Sequence, residues 1–164
     1  MKELLQGRRL GFAPRSHLAF VAGGLALAVS ITDLMAWLGL GSTDTNGYVI
    51  VAQWLCVVTM LVALIAAIAA VTEMLDVIPE EHDLARIDAL AALAIVLIYG
   101  LAAFLRSLEL GNAAASPAPF LLSIAGVIVI FADAGLAANM YSSREWEELE
   151  EEPVREHRRR RVSR

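Results

Sequence analysis

The chain has 164 residues, of which 58% are hydrophobic and 19% charged, with a formal net charge of −5 and a mean hydropathy of +0.62. A water-soluble domain of this size buries one core under amphipathic stripes, and this chain instead concentrates its charge outside long stretches apolar on every face. One cysteine, Cys56, leaves no internal disulfide to form.

Four apolar runs follow one another: Leu18–Leu40, Tyr48–Thr72, Ala89–Leu105 and Pro119–Tyr141. Each has the length of about 17–25 residues that a helix needs to cross a bilayer core. The expected organisation is a basic, amphipathic N-terminal segment over 1–17, a four-helix transmembrane domain over 18–141, and a charged tail over 142–164. Within the domain the spans are expected near 18–40, 48–72, 86–105 and 119–141. Ala26-Leu27-Ala28 has the form of a signal-peptidase site, but the apolar run continues to Leu40, which favours an uncleaved first helix. The polar turn Gly41-Ser42-Thr43-Asp44-Thr45-Asn46-Gly47 and the small, proline-bearing stretch from Gly111 to Pro119 are short. Such connections force consecutive helices antiparallel, so the fold class is an all-α, up-down four-helix membrane bundle. Small residues four apart (Ala19/Gly23, Gly24/Ala28, Ala63/Ala67, Ala66/Ala70 and Ala134/Ala138) suit close helix packing in lipid.

Basic residues set the expected orientation. Lys2, Arg8, Arg9 and Arg15 precede the first span; Arg86 lies at the second loop; Arg144, Arg155, Arg158, Arg159, Arg160, Arg161 and Arg164 follow the fourth. All of these fall on one side, and Arg106, at the third loop, is the exception. The positive-inside rule then puts both termini in the cytoplasm, with the helices spanning the plasma membrane. Trp37, Tyr48, Trp54 and Tyr99 would lie toward the outer interface, Tyr141 and Trp146 at the inner one.

Ionisable groups inside spans are the usual pointer to function. Asp33 sits roughly 22 Å, and Asp133 roughly 12 Å, from the inner ends of their helices at about 1.5 Å per residue, so the two do not share a carboxylate pair. Asp33 is nearest in depth to Thr59. Asp133 is nearest to the start of the third helix, where Arg86 and Asp88 sit and where an Arg86–Asp133 ion pair is geometrically plausible. One reading is a proton or ion relay; the other is structural, with each aspartate accepting hydrogen bonds from Ser30, Thr32, Thr59 or Asn139. Glu73 and Asp76, i,i+3 at the mouth of an acidic loop, are weak candidates for a hard cation. His17 and His82, on one side, are the weak candidates for axial haem ligands; neither cofactor nor metal is otherwise indicated. Arg158, Arg159, Arg160 and Arg161 suit anionic lipid headgroups, and without interleaved aromatics they do not point to nucleic acid.

His17-Leu18-Ala19-Phe20 followed by Asp33, then Thr72-Glu73-Met74-Leu75-Asp76, then Leu105-Arg106, then Gly126, Gly135-Leu136 and Tyr141 together resemble a family of small prokaryotic four-span membrane proteins of unknown function. That likeness implies the same four-helix fold and supplies no activity. It departs from the family at the second histidine and proline of the first helix, at the histidine opening the third, and at Ala137-Ala138-Asn139, which stands where the family has Gly-Gly-Glu. With no catalytic constellation, the expected function is a non-enzymatic structural or accessory membrane subunit, its partner a second copy of itself or another member of a membrane complex. The alternatives are a small transporter or proton/ion conduit using Asp33 and Asp133, and a haem-binding redox subunit.

Overall fold

A computed structural model describes residues 14–44, 46–75, 82–110 and 116–135. They form four helices and no strand: α1 (Pro14–Trp37), α2 (Gly47–Met74), α3 (His82–Ser107) and α4 (Pro117–Gly135). The chain divides into two compact units, Met1–Asp133 and Ala134–Arg164; of the second only Ala134 and Gly135, the last residues of α4, are described.

Local chemistry sets the helix ends. The apolar run of α1 continues to Leu40, yet the helix stops at Trp37. Gly39 takes φ 75°, and the amides of Gly39 and Leu40 donate to the carbonyls of Ala36 (3.1 Å) and Met35 (3.1 Å). This is the paired 5→2 and 6→1 closure that a glycine past the last turn permits. Asn46 caps α2: its side-chain oxygen accepts from the Tyr48 amide at 3.0 Å while its amide nitrogen donates to Leu40 O at 3.0 Å, so one side chain both opens α2 and closes the turn leaving α1. Ser116-Pro117 opens α4. Prolines at 117 and 119 lack N–H groups, so two of the donors that a helix start normally leaves unsatisfied do not exist here. α3 reaches back to His82, with Asp83 in its first turn, and extends to Ser107, so Arg106 belongs to the helix rather than to the loop.

The helices pack in a ring. α2 lies against α1 and α3. α4 meets α3 where the Tyr99 ring covers Gly126, and meets α1 where Ile130 lies beside Gly23 and Phe120 stacks on Trp37 with ring centroids 5.3 Å apart. Trp37 ends α1 and Phe120 begins α4, so neighbouring helices run antiparallel, as the short connections require. α1 and α3 are diagonal partners across the ring.

The interior is made of small residues. Ala26, Ala63, Ala67, Ala70, Ala89, Ala92, Ala102 and Ala103 are buried, with the larger Val29, Ile95, Tyr99 and Ile130 set among them. The exterior carries the large ones: Phe20 is 80% exposed, Leu97 73% and Phe131 58%. A soluble bundle has the reverse arrangement, because water rewards burial of the largest apolar surfaces. In hydrocarbon that drive between helices vanishes, and close backbone approach over alanine and glycine takes its place. The four helices have 19 to 28 residues in their spanning segments, or about 28–42 Å at 1.5 Å per residue, enough for a core of about 30 Å. The protein is therefore a four-helix membrane protein. Among the small pairs expected to mediate packing, Ala63/Ala67 and Ala66/Ala70 are buried, whereas a Cβ on Gly24 would meet nothing within 4 Å. Trp37 and Trp54 are exposed on the bundle surface, but Tyr99 is fully buried and is a core residue, not an interfacial one.

A buried polar clamp across the four helices

The end of the bundle where α1 and α3 finish and α2 and α4 begin holds a polar cluster built from every helix. Asp33 lies in the penultimate turn of α1, Cys56 in the third turn of α2, Tyr99 and Arg106 in the last turns of α3, and Pro119 and Ser123 in the first turns of α4. A helical side chain leans toward its helix N-terminus. Arg106, next to the last residue of α3, therefore sends its guanidinium back into the bundle rather than out toward a polar interface, against the usual habit of long cationic side chains at span ends.

The guanidinium is almost completely enclosed. Arg106 is 2% exposed and Asp33 0%. Nη2 forms an ion pair with Asp33 Oδ2 and also lies 2.6 Å from Ser123 Oγ and 3.1 Å from the Pro119 carbonyl. Nη1 donates to Cys56 Sγ at 3.4 Å. The Ser123 hydroxyl in turn reaches the Pro119 carbonyl at 3.0 Å and Asp33 Oδ2 at 3.4 Å. Around this centre, the Cys56 thiol donates to the Tyr99 carbonyl (3.4 Å) and the Tyr99 hydroxyl to the Ser123 carbonyl (3.2 Å). The pair joins the two diagonal helices, and its neighbours bind the other two. Arg106 sits in the last turn of its own helix α3, where partial negative charge accumulates.

An isolated charge costs about 2.5–3.5 kcal/mol at the centre of a spanning helix and less toward its ends, but here the bundle encloses both groups. Pairing with hydrogen bonds offsets that cost, and loss of one partner exposes it, which is why breaking a buried pair typically costs about 3–5 kcal/mol. The clamp is thus neutral as a unit and intolerant of being halved.

Of the residues singled out in the sequence, Asp33 is at the centre of this cluster, with Arg106 and Ser123 as partners. Thr59 is fully buried but its hydroxyl donates to Leu55 O of its own helix at 2.7 Å. Ser30 and Thr32 likewise bond back to Ala26 O (3.2 Å) and to Ala28 O and Val29 O (2.9 Å each), so none of the three serves Asp33 as expected. Arg86 is exposed on α3, and no Arg86–Asp133 ion pair forms among the described residues; Arg106 instead pairs with Asp33. Asp88 is buried and Asp133 half-buried, toward the opposite end of the bundle, and both are engaged. His17 and His82 are exposed and Glu73 is half-buried. Asp76, Asn139 and Arg158 to Arg161 lie outside the described residues, and among the described ones no three His, Cys, Asp or Glu side chains converge. Arg106, Cys56, Tyr99 and Ser123 were not singled out as site residues. A signal for Arg106 existed: it is the one basic residue on its side of the chain, directly after an apolar run.

No family model matches this chain, and no curated protein or solved structure matches it either, so its likeness to the four-span family rests on the quoted motifs alone.

Proposed function

We propose that this protein is a non-enzymatic structural or accessory subunit of a prokaryotic plasma (inner) membrane, with both termini in the cytoplasm. The observation that carries the reading is the enclosure of the clamp. The groups best suited to chemistry inside the bundle, Asp33, Arg106, Cys56, Ser123 and Tyr99, are bonded to one another and are at most 2% exposed. A carboxylate serving a conduit must exchange its proton or ion with a path on both sides, whereas Asp33 is fully enclosed and held by Arg106 and Ser123. Support for the orientation comes from Arg106 as well. With its guanidinium inside the bundle, the segments 38–47 and 108–116 carry no lysine or arginine, which sharpens the contrast with the basic N-terminal segment and tail. The basic run Arg158 to Arg161 then faces the leaflet whose anionic lipids attract it.

Affinity purification of the full chain from native membranes in a mild detergent, followed by mass spectrometry, tests the reading. A membrane protein recovered in fixed proportion is the expected result. Proton or cation flux through proteoliposomes of the purified protein, abolished by Asp33→Asn without loss of folding, would overturn it in favour of a conduit. Alkaline phosphatase fused after Asp44 should be active, and fused after Arg164 inactive; the reverse pattern overturns the orientation.

A further inference from the structure

The Asp33–Arg106 contact is half of a fork. On a guanidinium, Nε–H and Nη2–H point the same way along one edge, spaced to meet both oxygens of a carboxylate. Here Nη2 meets Oδ2, while Arg106 Nε and Asp33 Oδ1, the matching donor and acceptor of the second arm, are buried without a hydrogen-bond partner. A third buried atom in the same state is Gln53 Oε1, whose residue is 9% exposed. Gln53 precedes Cys56 by three residues, so it shares the helix face on which Cys56 touches Arg106 Nη1. The register puts it at a level between Cys56 and the Arg106 backbone. Cys56 is level with Tyr99, to whose carbonyl it bonds; Gln53 lies about 4.5 Å further toward the Arg106 end, and the Arg106 backbone about 10 Å further, at 1.5 Å per residue. The Arg106 side chain runs back between those two levels to reach Cys56, and so spans the level of Gln53.

We propose that Arg106 Nε, Asp33 Oδ1 and Gln53 Oε1 frame a binding site for one water molecule that completes the clamp. The three atoms offer one donor and two acceptors. A water accepts one hydrogen bond and donates two, and buried waters make about three. Charge points the same way: the arginine and aspartate cancel, so neither a cation nor an anion is favoured over a neutral ligand. Left unmatched, each of the three atoms forfeits its hydration, and hydrocarbon supplies no alternative partner. The site goes beyond the accessory role proposed above and stands whether or not a protein partner is found.

The test uses the full-length protein in lipid nanodiscs with ¹⁵N-labelled arginine, the Arg106 Nε–H signal being assigned by its loss in Arg106→Lys. Magnetisation transferred from water should reach this Nε–H although the residue is enclosed within the bundle. Gln53→Met, which keeps the shape and removes the acceptor, should lower the binding constant of the water by about threefold to tenfold, the worth of one hydrogen bond, and so weaken that transfer. Absence of transfer to Nε–H in the wild-type protein overturns the proposal, and this measurement does not depend on any variant folding. A direct coupling of Nε–H to the Asp33 carboxyl overturns it, because the fork is then closed. So does transfer that Gln53→Met leaves unchanged, or a co-purifying organic molecule whose removal abolishes the Nε–H signal.

Discussion

Halving the clamp and removing it whole should have very different consequences. Asp33→Leu leaves the Arg106 guanidinium enclosed without its counter-charge; Arg106→Met leaves the Asp33 carboxylate in the same position. Each should cost about 3–5 kcal/mol, so independent effects would put the double variant at about 6–10 kcal/mol. In the double variant both charges are gone together. What remains lost is the set of bonds from Arg106 to the Pro119 carbonyl, Ser123 and Cys56. The Ser123 hydroxyl keeps the Pro119 carbonyl and the Tyr99 hydroxyl keeps the Ser123 carbonyl, and apolar side chains fill part of the space. The double variant should therefore lose only about 2–4 kcal/mol, a coupling of several kcal/mol between residues on diagonal helices. Reversible unfolding in mixed micelles, or steric trapping in bicelles, measures all four corners of the cycle. Single costs below about 1 kcal/mol, or additivity within about 0.5 kcal/mol, would refute the argument that the two charges are enclosed against each other.

Gly126→Ala should destabilise the bundle by about 1–3 kcal/mol, read as a fall in Tm. The added Cβ would lie 2.5 Å from Tyr99 Cε2, and that ring is tethered by its hydroxyl to Ser123 O; Tyr99→Leu in the same chain should return part of the loss. Gly41→Ala should cost about 1–3 kcal/mol, because Gly41 has φ 107° and a Cβ there would lie 2.5 Å from Asn46 Oδ1, the oxygen that caps α2. Cys56 should resist maleimide in intact micelles and react fully on unfolding, since it is entirely buried; Asp33→Leu, by loosening the helix ends, should speed labelling, and equal rates in the two proteins would count against the clamp as a fastening.

The membrane class, the number of helices and their alternation were readable along the chain, because each is a one-dimensional quantity. The length of an apolar run fixes whether a helix can span the bilayer, and a short loop fixes the direction of the next helix. Even the helix ends followed nearest-neighbour chemistry, although the apolar run of α1 ran on past the turn at Gly39, where backbone conformation outranks hydropathy. Hydropathy also misplaced two residues. Tyr99 had the composition of an interfacial ring and became a core residue because Gly126 on α4 leaves space for it. Arg106 counted as a loop charge, and tertiary structure turned it inward. Its partner lies 73 residues away in sequence, on a helix not adjacent in the ring, so no local pattern encodes their meeting. That depends on which faces of α1, α3 and α4 come together, and the small side chains between them allow the approach. Sequence determined that hydrocarbon surrounds these helices; only the packed bundle decided which of their polar groups would have to satisfy one another inside it, since in a medium without water each must find its partner within the protein.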